Sequence, residues 1–535
     1  MAIGTVWMAI PVVLLIGGLA LGQQPPPSAE AVITCQVSLG KHEPEHPLDQ
    51  VYHSPDGRHI AYVVRSDRGV RVVLDGVGGK EYSSVQADSL VFSADSKHVV
   101  YIAGRDGKSF VVTDGIESRA YESGRILTSP PIFSPDGRRV AFVAWRDGQC
   151  FVVVDGTEGN PYDMVTRAVA FSPDSRRVAF SAVDGEDSFA VVDGVEGKRY
   201  RTGRDYGLIT PPIFSPDGRR VAYRVLSREG EETYECVVVD EAEIDKQIAQ
   251  SPEGLTPRLS DGAVVFSPDG RRVAHTSRRG HECRVVVDGV PGKGYWQVGV
   301  PVFSPDGQHV AYAATPNFRQ HIVVVDGREG KAYDDIASGM QWVLGDAGQP
   351  MFSPDGRRLA YVGSRRMKTR EMACLVVDGK ESPTYEARAQ ASWIGRREYA
   401  LVEGDDPGDH RGWVSDVITH IDRTTVLSPF SPDSSRTGFV AAAPSKWYAV
   451  VDGVEEKHYH YVVSGDTLFT PDSEHVLYVA AHGKGRWSLV LDGHEGEAQT
   501  GDLVTGVIFD SPTSFHLLAR RDSEFMLLEG EIRAM

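Results

Sequence analysis

One eight-residue phrase keeps returning along this chain, and it limits the possible folds more than any other feature. Phe-Ser-Pro-Asp-Gly-Arg-Arg-Val occupies Phe133 to Val140, Phe214 to Val221 and Phe266 to Val273. Close variants begin at Ser54, Ser93, Ser172, Ser304, Ser353, Ser431 and Thr470, and most neighbouring copies are 37 to 43 residues apart. Two intervals are longer: 52 residues from Ser215 to Ser267, and 49 from Ser304 to Ser353. The gap from Ser353 to Ser431 spans two periods, and a worn copy at Ser392-Trp393-Ile394-Gly395-Arg396-Arg397 fills it. Another worn copy starts near Phe509, making twelve. A fixed period of this length means a stacked or radial array of supersecondary units.

A second phrase, Val-Val-Val-Asp-Gly or a near match, follows the first by 21 to 25 residues in the well-kept copies. Its Asp is Asp75, Asp114, Asp155, Asp193, Asp240, Asp288, Asp326, Asp378, Asp452 or Asp492. It often continues as Glu-Gly-Lys-x-Tyr, as at Glu196 to Tyr200 and Glu329 to Tyr333. Each repeat therefore reads as four short strands. Strand A ends in Phe-Ser. Pro-Asp-Gly turns the chain, because proline presets φ, aspartate bonds its own backbone and glycine accepts positive φ. Strand B alternates as Arg-Val-Ala-Tyr-Val-Ala. Strand C is β-branched and apolar on both sides, as a buried strand should be. Asp-Gly leads into strand D, which carries the Tyr. Four strands in about 40 residues is the period of a propeller blade. A helical solenoid needs segments of 3.6-residue period, and none is found. The expected class is all-β: a β-propeller of about twelve four-stranded blades.

The Phe-Ser-Pro-Asp-Gly turn with its later Asp-Gly resembles the WD-repeat-like propeller repeat of TolB-type proteins, over roughly residues 50 to 530. The resemblance implies a fold and leaves the function open, because propellers host many activities. The chain departs from TolB in having no N-terminal α/β domain before its repeats. It also lacks the α/β-hydrolase domain that follows similar repeats in prolyl-oligopeptidase-like enzymes, and no Gly-x-Ser-x-Gly elbow occurs. Twelve blades exceed the usual four to eight per ring. Two six-bladed rings, 31–297 and 298–535, are the first expectation, with a seven-plus-five split or one oversized ring as alternatives. The last copy runs out after strand C near Glu529, and Ala31 to Ser38 is placed to supply its outer strand and latch the ends together.

The start of the chain reads differently. Val6 to Leu21 is apolar, Ala20-Leu21-Gly22 puts small residues where a signal peptidase reads, and Gln23 to Ser28 is polar and proline-rich. This predicts a secretory signal peptide over 1–22 and a linker over 23–30, hence an exported protein, periplasmic or extracellular. An uncleaved anchor is the alternative, and membrane contact is expected only through it. The net charge of −18 argues against nucleic acid as a partner. The five cysteines are an odd set without Cys-x-x-Cys. Cys150, Cys236, Cys283 and Cys374 share one phase of the repeat and read as small buried hydrophobes, and Cys35 stands apart. No cofactor is expected.

An Asp present in nearly every blade is explained by turn chemistry, so the repeated carboxylates give no catalytic residue. Glu403, Asp405, Asp406 and Asp409 read as a solvated loop, since no EF-hand spacing fits. His458 and His460 would share one strand face but have no third ligand, so no metal site is expected. The pairs Arg138-Arg139, Arg176-Arg177, Arg219-Arg220, Arg271-Arg272 and Arg357-Arg358 read as solubilising charge beside exposed turns, with a basic band for an anionic partner as the sharper alternative. The A–B and C–D turns are nearly invariant. The B–C and D–A connections vary and carry residues the repeat does not require: Arg125, Trp145, Arg204, Tyr206, Phe318, Trp342, Arg366 and Trp413. Variable loops on a regular scaffold are where recognition resides, and aromatics and arginines are its usual anchors. The function expected is therefore non-catalytic binding of a protein or polysaccharide by that face. The alternative is a propeller enzyme, lyase- or glycosidase-like, marked by a non-repeating cluster of His, Glu, Arg and Tyr at the ring channel. A purely structural envelope protein is a third reading.

Overall fold

The computed structural model describes residues 29–41, 51–122, 130–202, 209–230, 232–248, 263–317, 319–336, 349–367, 370–387, 429–443, 446–463, 468–483 and 485–534. Among them there is no helix, and the strands form eleven antiparallel sheets. Blade 3 is typical. Strand A (Ile132–Phe133) pairs with B (Val140–Arg146), B with C (Gln149–Val154), and C with D (Thr157–Glu158). The turn chemistry is as the sequence requires. Asp155 and Gly156 have φ of +51° and +77°, the positive pair of a type I′ hairpin. Gly137 of the Pro-Asp-Gly turn sits at +72°. Where serine replaces that glycine, as at Ser96, Ser175, Ser434 and Ser473, it takes the same left-handed conformation.

Apolar faces join each blade to the next. Blade 3 packs Ala141 and Val143 with Phe180 and Phe189 of blade 4 (Met164–Phe171 through Val195–Glu196). Tyr295 of blade 6 (Val264–Phe266 through Val290–Pro291) packs with Tyr312 and Val324 of blade 7 (Gln297–Val298 through Arg328–Glu329). The run continues to the last sheet, where Val504, Leu518, Phe525 and Leu527 pack against Val51, Ile60, Tyr62 and Val73 of the first. The described blades thus form one closed ring of eleven. Apolar packing crosses the expected 297/298 boundary between two rings as it crosses the other described seams. The worn copy at Ser392 to Arg397 lies outside the described residues. The sheets on either side of it pack directly on each other, with Val362 and Leu375 of blade 8 (Met351–Phe352 through Lys380–Glu381) against Phe430 and Phe439 at blade 9 (Gly438–Ala443 through Val454–Glu455).

Ring closure follows the sequence reading. Ala29–Lys41 pairs antiparallel with Glu524–Ala534 and becomes the outer strand of the last sheet. That strand begins inside the expected 23–30 linker. Beside it, Arg58 of blade 1 bonds Asp510 at 2.9 Å and Glu529 at 2.8 Å across the closing seam. The buried His516 ring links the Asp510 carboxylate to the Asp56 carbonyl. Cys150, Cys236 and Cys374 are buried and Cys283 is half-buried, all as free thiols. Burial pushes the Cys150 and Cys236 thiols up to about 11 and about 12.

Candidate functional site

The repeated polar residues form a bonded lattice over the A–B/C–D face. In blade 4, Ser172 Oγ donates to Asp174 Oδ1 at 2.5 Å, and that oxygen also accepts the Arg176 amide. Arg177 Nε donates to Asp193 Oδ2 at 2.9 Å, while Asp193 Oδ1 accepts the Val178 amide. Arg177 Nη1 reaches the next blade, donating to the Gly218 and Arg219 carbonyls at 3.1 Å each, and its guanidinium lies 5.2 Å from the Phe214 ring. Arg139, Arg220, Arg272 and Arg358 repeat this staple on their own following blades. His59, His98, His309 and His475 replace the arginine and bond the same Asp at 2.6–2.7 Å. The Arg-Arg pairs are therefore corrected by half. The first arginine is exposed, as at Arg219 and Arg271, but the second holds adjacent blades together. Farther out, Lys293 and Tyr295 of blade 6 both bond Glu329 of blade 7, which accounts for the Glu-Gly-Lys-x-Tyr phrase. His458 stacks on Tyr448, with ring centroids 4.1 Å apart.

Of the eight expected binding residues, Trp145 alone has a described side chain. It is half-buried at the end of strand B of blade 3, partly packed on the blade 3–4 core. Arg366 lies in strand B of blade 8 (Leu359–Met367), with its side chain outside the described set. Arg125, Arg204, Tyr206, Phe318, Trp342 and Trp413 lie outside the described residues, as does the 403–409 acidic segment.

The seam between blades 5 and 6 holds a cluster that the repeat does not explain. Strand B of blade 5 (Val221–Glu229) reads Val-Ala-Tyr-Arg-Val where blade 3 reads Val-Ala-Phe-Val-Ala, so Arg224 stands in the place of Val143. In blade 6 (Val273–Arg279) His275 stands in the place of Phe142. Both side chains are wholly buried. Arg224 donates through Nε and Nη2 to Glu235 Oε1, at 3.2 and 2.6 Å, and through Nη1 to the Thr276 carbonyl at 2.8 Å. His275 Nδ1 lies 3.3 Å from the same carbonyl, and its Nε2 is buried without a partner. Burial holds this imidazole below its ordinary range, so it is neutral at pH 7.

Asp245 comes from strand D of blade 5 (Ala242–Ile248), which is longer than the two-residue strand D of most blades. Its nearly buried carboxylate stands 3.9 Å from His275 Nδ1 and 3.9 Å from the exposed Arg279, beyond direct hydrogen-bond reach of either. Gln247, with its amide turned to suit both groups, donates to the Arg278 carbonyl at 2.7 Å and accepts from the Ser277 hydroxyl at 3.0 Å. Glu241 replaces glycine in the preceding turn and keeps its positive φ, a conformation that costs a side chain energy. The cluster runs from mid-blade to the B–C/D–A face. Apolar side chains fill the matching space in blades 3 and 8, as Val143 and Val362, and are often as stable as a buried ion pair, so stability alone does not call for it. Its sequence signal was an Arg and a His breaking the Val-Ala-aromatic-Val-Ala alternation, which the turn motifs beside it concealed. It lies between blades rather than at the channel, where a distinguishing cluster was expected.

The sequence matches no known family and no curated protein. Its structure is similar to a eukaryotic initiation factor (10% identity, TM-score 0.37, covering 83% of this chain and 95% of that one). It is also similar to TolB from Acinetobacter baumannii (18%, 0.21, 52% and 77%) and to the β-propeller domain of the trilobed protease from Pyrococcus furiosus (14%, 0.27, 63% and 95%).

Proposed function

We propose that the protein is an exported, non-catalytic binding or scaffold module that recognises a protein or polysaccharide through its B–C/D–A face. One observation carries the reading: the two faces differ in kind. On the A–B/C–D face the recurring carboxylates and arginines bond one another in blade after blade. The opposite face has connections of unequal length, the half-buried Trp145 and the exposed Arg279 at the end of the non-repeating cluster. Rigid scaffold beneath varied loops is the arrangement used for recognition. Export belongs to this reading through the signal peptide of residues 1–22, with the mature chain starting at Gln23.

The test is capture from the native envelope fraction by wild type and two double variants, Arg204→Ala/Tyr206→Ala and Phe318→Ala/Arg366→Ala. Both variants should lose at least tenfold of the captured partner at unchanged melting temperature. If only Arg138→Glu, on the opposite face, abolishes capture, the working face is wrongly assigned. Neutral, buried His275 beside Asp245 favours the enzyme reading, because perturbed titratable groups collect at reactive sites. Turnover that His275→Gln abolishes in a folded protein would establish it.

A further inference from the structure

We infer that closure of the ring is proton-operated: a doubly protonated His516 clamps the last blade to the first, and that seam loosens as the surroundings turn alkaline. This holds whichever face binds, because it concerns how the ring is kept shut. The repeat marks the place. Two residues past the left-handed turn residue stands an arginine in blades 3 to 6, 8 and 9, and each of these bonds an Asp of its own blade with a guanidinium that keeps its charge at any working pH. The same position is histidine in blade 1 (Val51–His53 through Val77–Gly78), blade 2 (Ser84–Phe92 through Ile116–Glu117), blade 7 and blade 10 (Tyr461–Val463 through His494–Glu495). In blade 11, which holds Ile508–Phe509, Ser514–Arg521 and Glu524–Ala534, Ser514 takes that place by strand register. Blades 10, 11, 1 and 2 follow one another around the ring, so the arc that includes the closing seam lacks the permanent cation found in blades 3 to 6.

His516 sits at the centre of this arc, its ring enclosed between strand B of blade 11 and the A–B turn of blade 1. Nδ1 lies 2.8 Å from Asp510 Oδ2, and Nε2 lies 2.5 Å from the Asp56 carbonyl oxygen. A carboxylate and a carbonyl only accept, so both ring nitrogens donate and the ring is an imidazolium. The proton does not pass to Asp510. Burial works against the charge of that carboxyl, but bonds from His516 and Arg58 hold it below its ordinary range. Glu529 is the cross-strand partner of His516 and accepts from Arg58 Nη1 at 2.8 Å, while Arg58 Nη2 donates to Asp510 at 2.9 Å. Two cations, Arg58 and His516, thus stand against two carboxylates, Asp510 and Glu529. The neighbouring groups are engaged elsewhere. The Asp56 carboxylate turns back onto the Ser54 hydroxyl and the Arg58 amide, His53 bonds the Ser54 carbonyl, His59 pairs with Asp75, and Arg533 pairs with Glu531. Loss of one ring proton leaves an acceptor facing a bare lone pair in a buried seam, and one negative charge in excess. The clamp is therefore complete in the acid form of the ring and lost as pH rises, the sign for a histidine that gains acceptors on folding.

The experiment is hydrogen–deuterium exchange of the full chain at about pH 6 and about pH 8.5, corrected for the intrinsic pH dependence of exchange. Segments Ile60–Ser66 and Ser514–Arg521, which meet at the closing seam, should lose about tenfold of their protection at the higher pH, while Val178–Asp184 and Val221–Glu229, beside the Arg177 staple, keep theirs. In His516→Gln the closing seam should be equally protected at both pH values. Asp510→Asn, isosteric and on the more exposed side of the pair, should cut the pH response about threefold, and it keeps the test open if His516→Gln does not fold. No loss of protection at the closing seam, an equal loss beside the arginine staple, or a response that survives these substitutions overturns the proposal. The readout needs no binding partner, so it fails independently of partner capture by the variable loops.

Discussion

Arg177→Ala removes one staple from the blade 4–5 seam, and the structure sets the size of the loss. Two hydrogen bonds to the Gly218 and Arg219 carbonyls go, at about 1 kcal/mol each net. The guanidinium–Phe214 contact and the partly exposed pair with Asp193 go as well, each weaker than either of those bonds. The sum is about 3 kcal/mol. The adjacent Arg176→Ala, at an exposed position with no staple, should cost less than about 0.5 kcal/mol. Arg177→Lys keeps the charge but loses the fork that reaches Asp193 and the next blade together, and should recover less than half of the loss. Urea denaturation of the three variants, followed by intrinsic fluorescence, measures the differences. Equal losses for Arg176→Ala and Arg177→Ala would refute the staple and return both arginines to surface charge.

Truncation of the wholly buried Phe525 to alanine at the closing seam should cost about 3–5 kcal/mol by cavity formation, measured by the same denaturation. Glu117 is held at about 2 by its bonds to Arg105 and Lys80. Its folded value lies below its unfolded one, so its contribution is full above the unfolded value of 4.5 and fades as pH falls toward about 2. The melting-temperature gap between wild type and Glu117→Gln should therefore be constant above about pH 5.5 and close near pH 2. A gap that widens on acidification would reverse the sign of this linkage. N-terminal sequencing of the mature protein should begin at Gln23, and an intact Met1 on a protein recovered from the cytoplasm would contradict export.

The repeat, read alone, determined the strand order within a blade, the two turn types and the latch of the ends by residues near Ala31 to Ser38. Those are local matters: Asp-Gly selects a type I′ hairpin, and alternation selects which side chains face a neighbouring blade. The paired arginines were legible as a pattern but not as a mechanism, because the staple's second half is a carbonyl in another repeat, as in Arg177 to Gly218. The number of blades in the ring was not legible either. Every seam uses the same apolar faces, so nothing in the sequence of Tyr295 to Val300 distinguishes a seam that continues from one that ends a ring. Tertiary packing alone brought Val504, Leu518 and Phe525 against Val51 and Tyr62 and closed the circle. The same holds for the polar seam. Arg224, Glu235, Asp245 and His275 come from four strands of two blades, and only Arg224 and His275 mark themselves in the sequence, by breaking the strand B alternation. They meet because adjacent blades bury facing surfaces, where a charge must find polar partners, as Arg224 does in Glu235 of its own blade and the Thr276 carbonyl of the next.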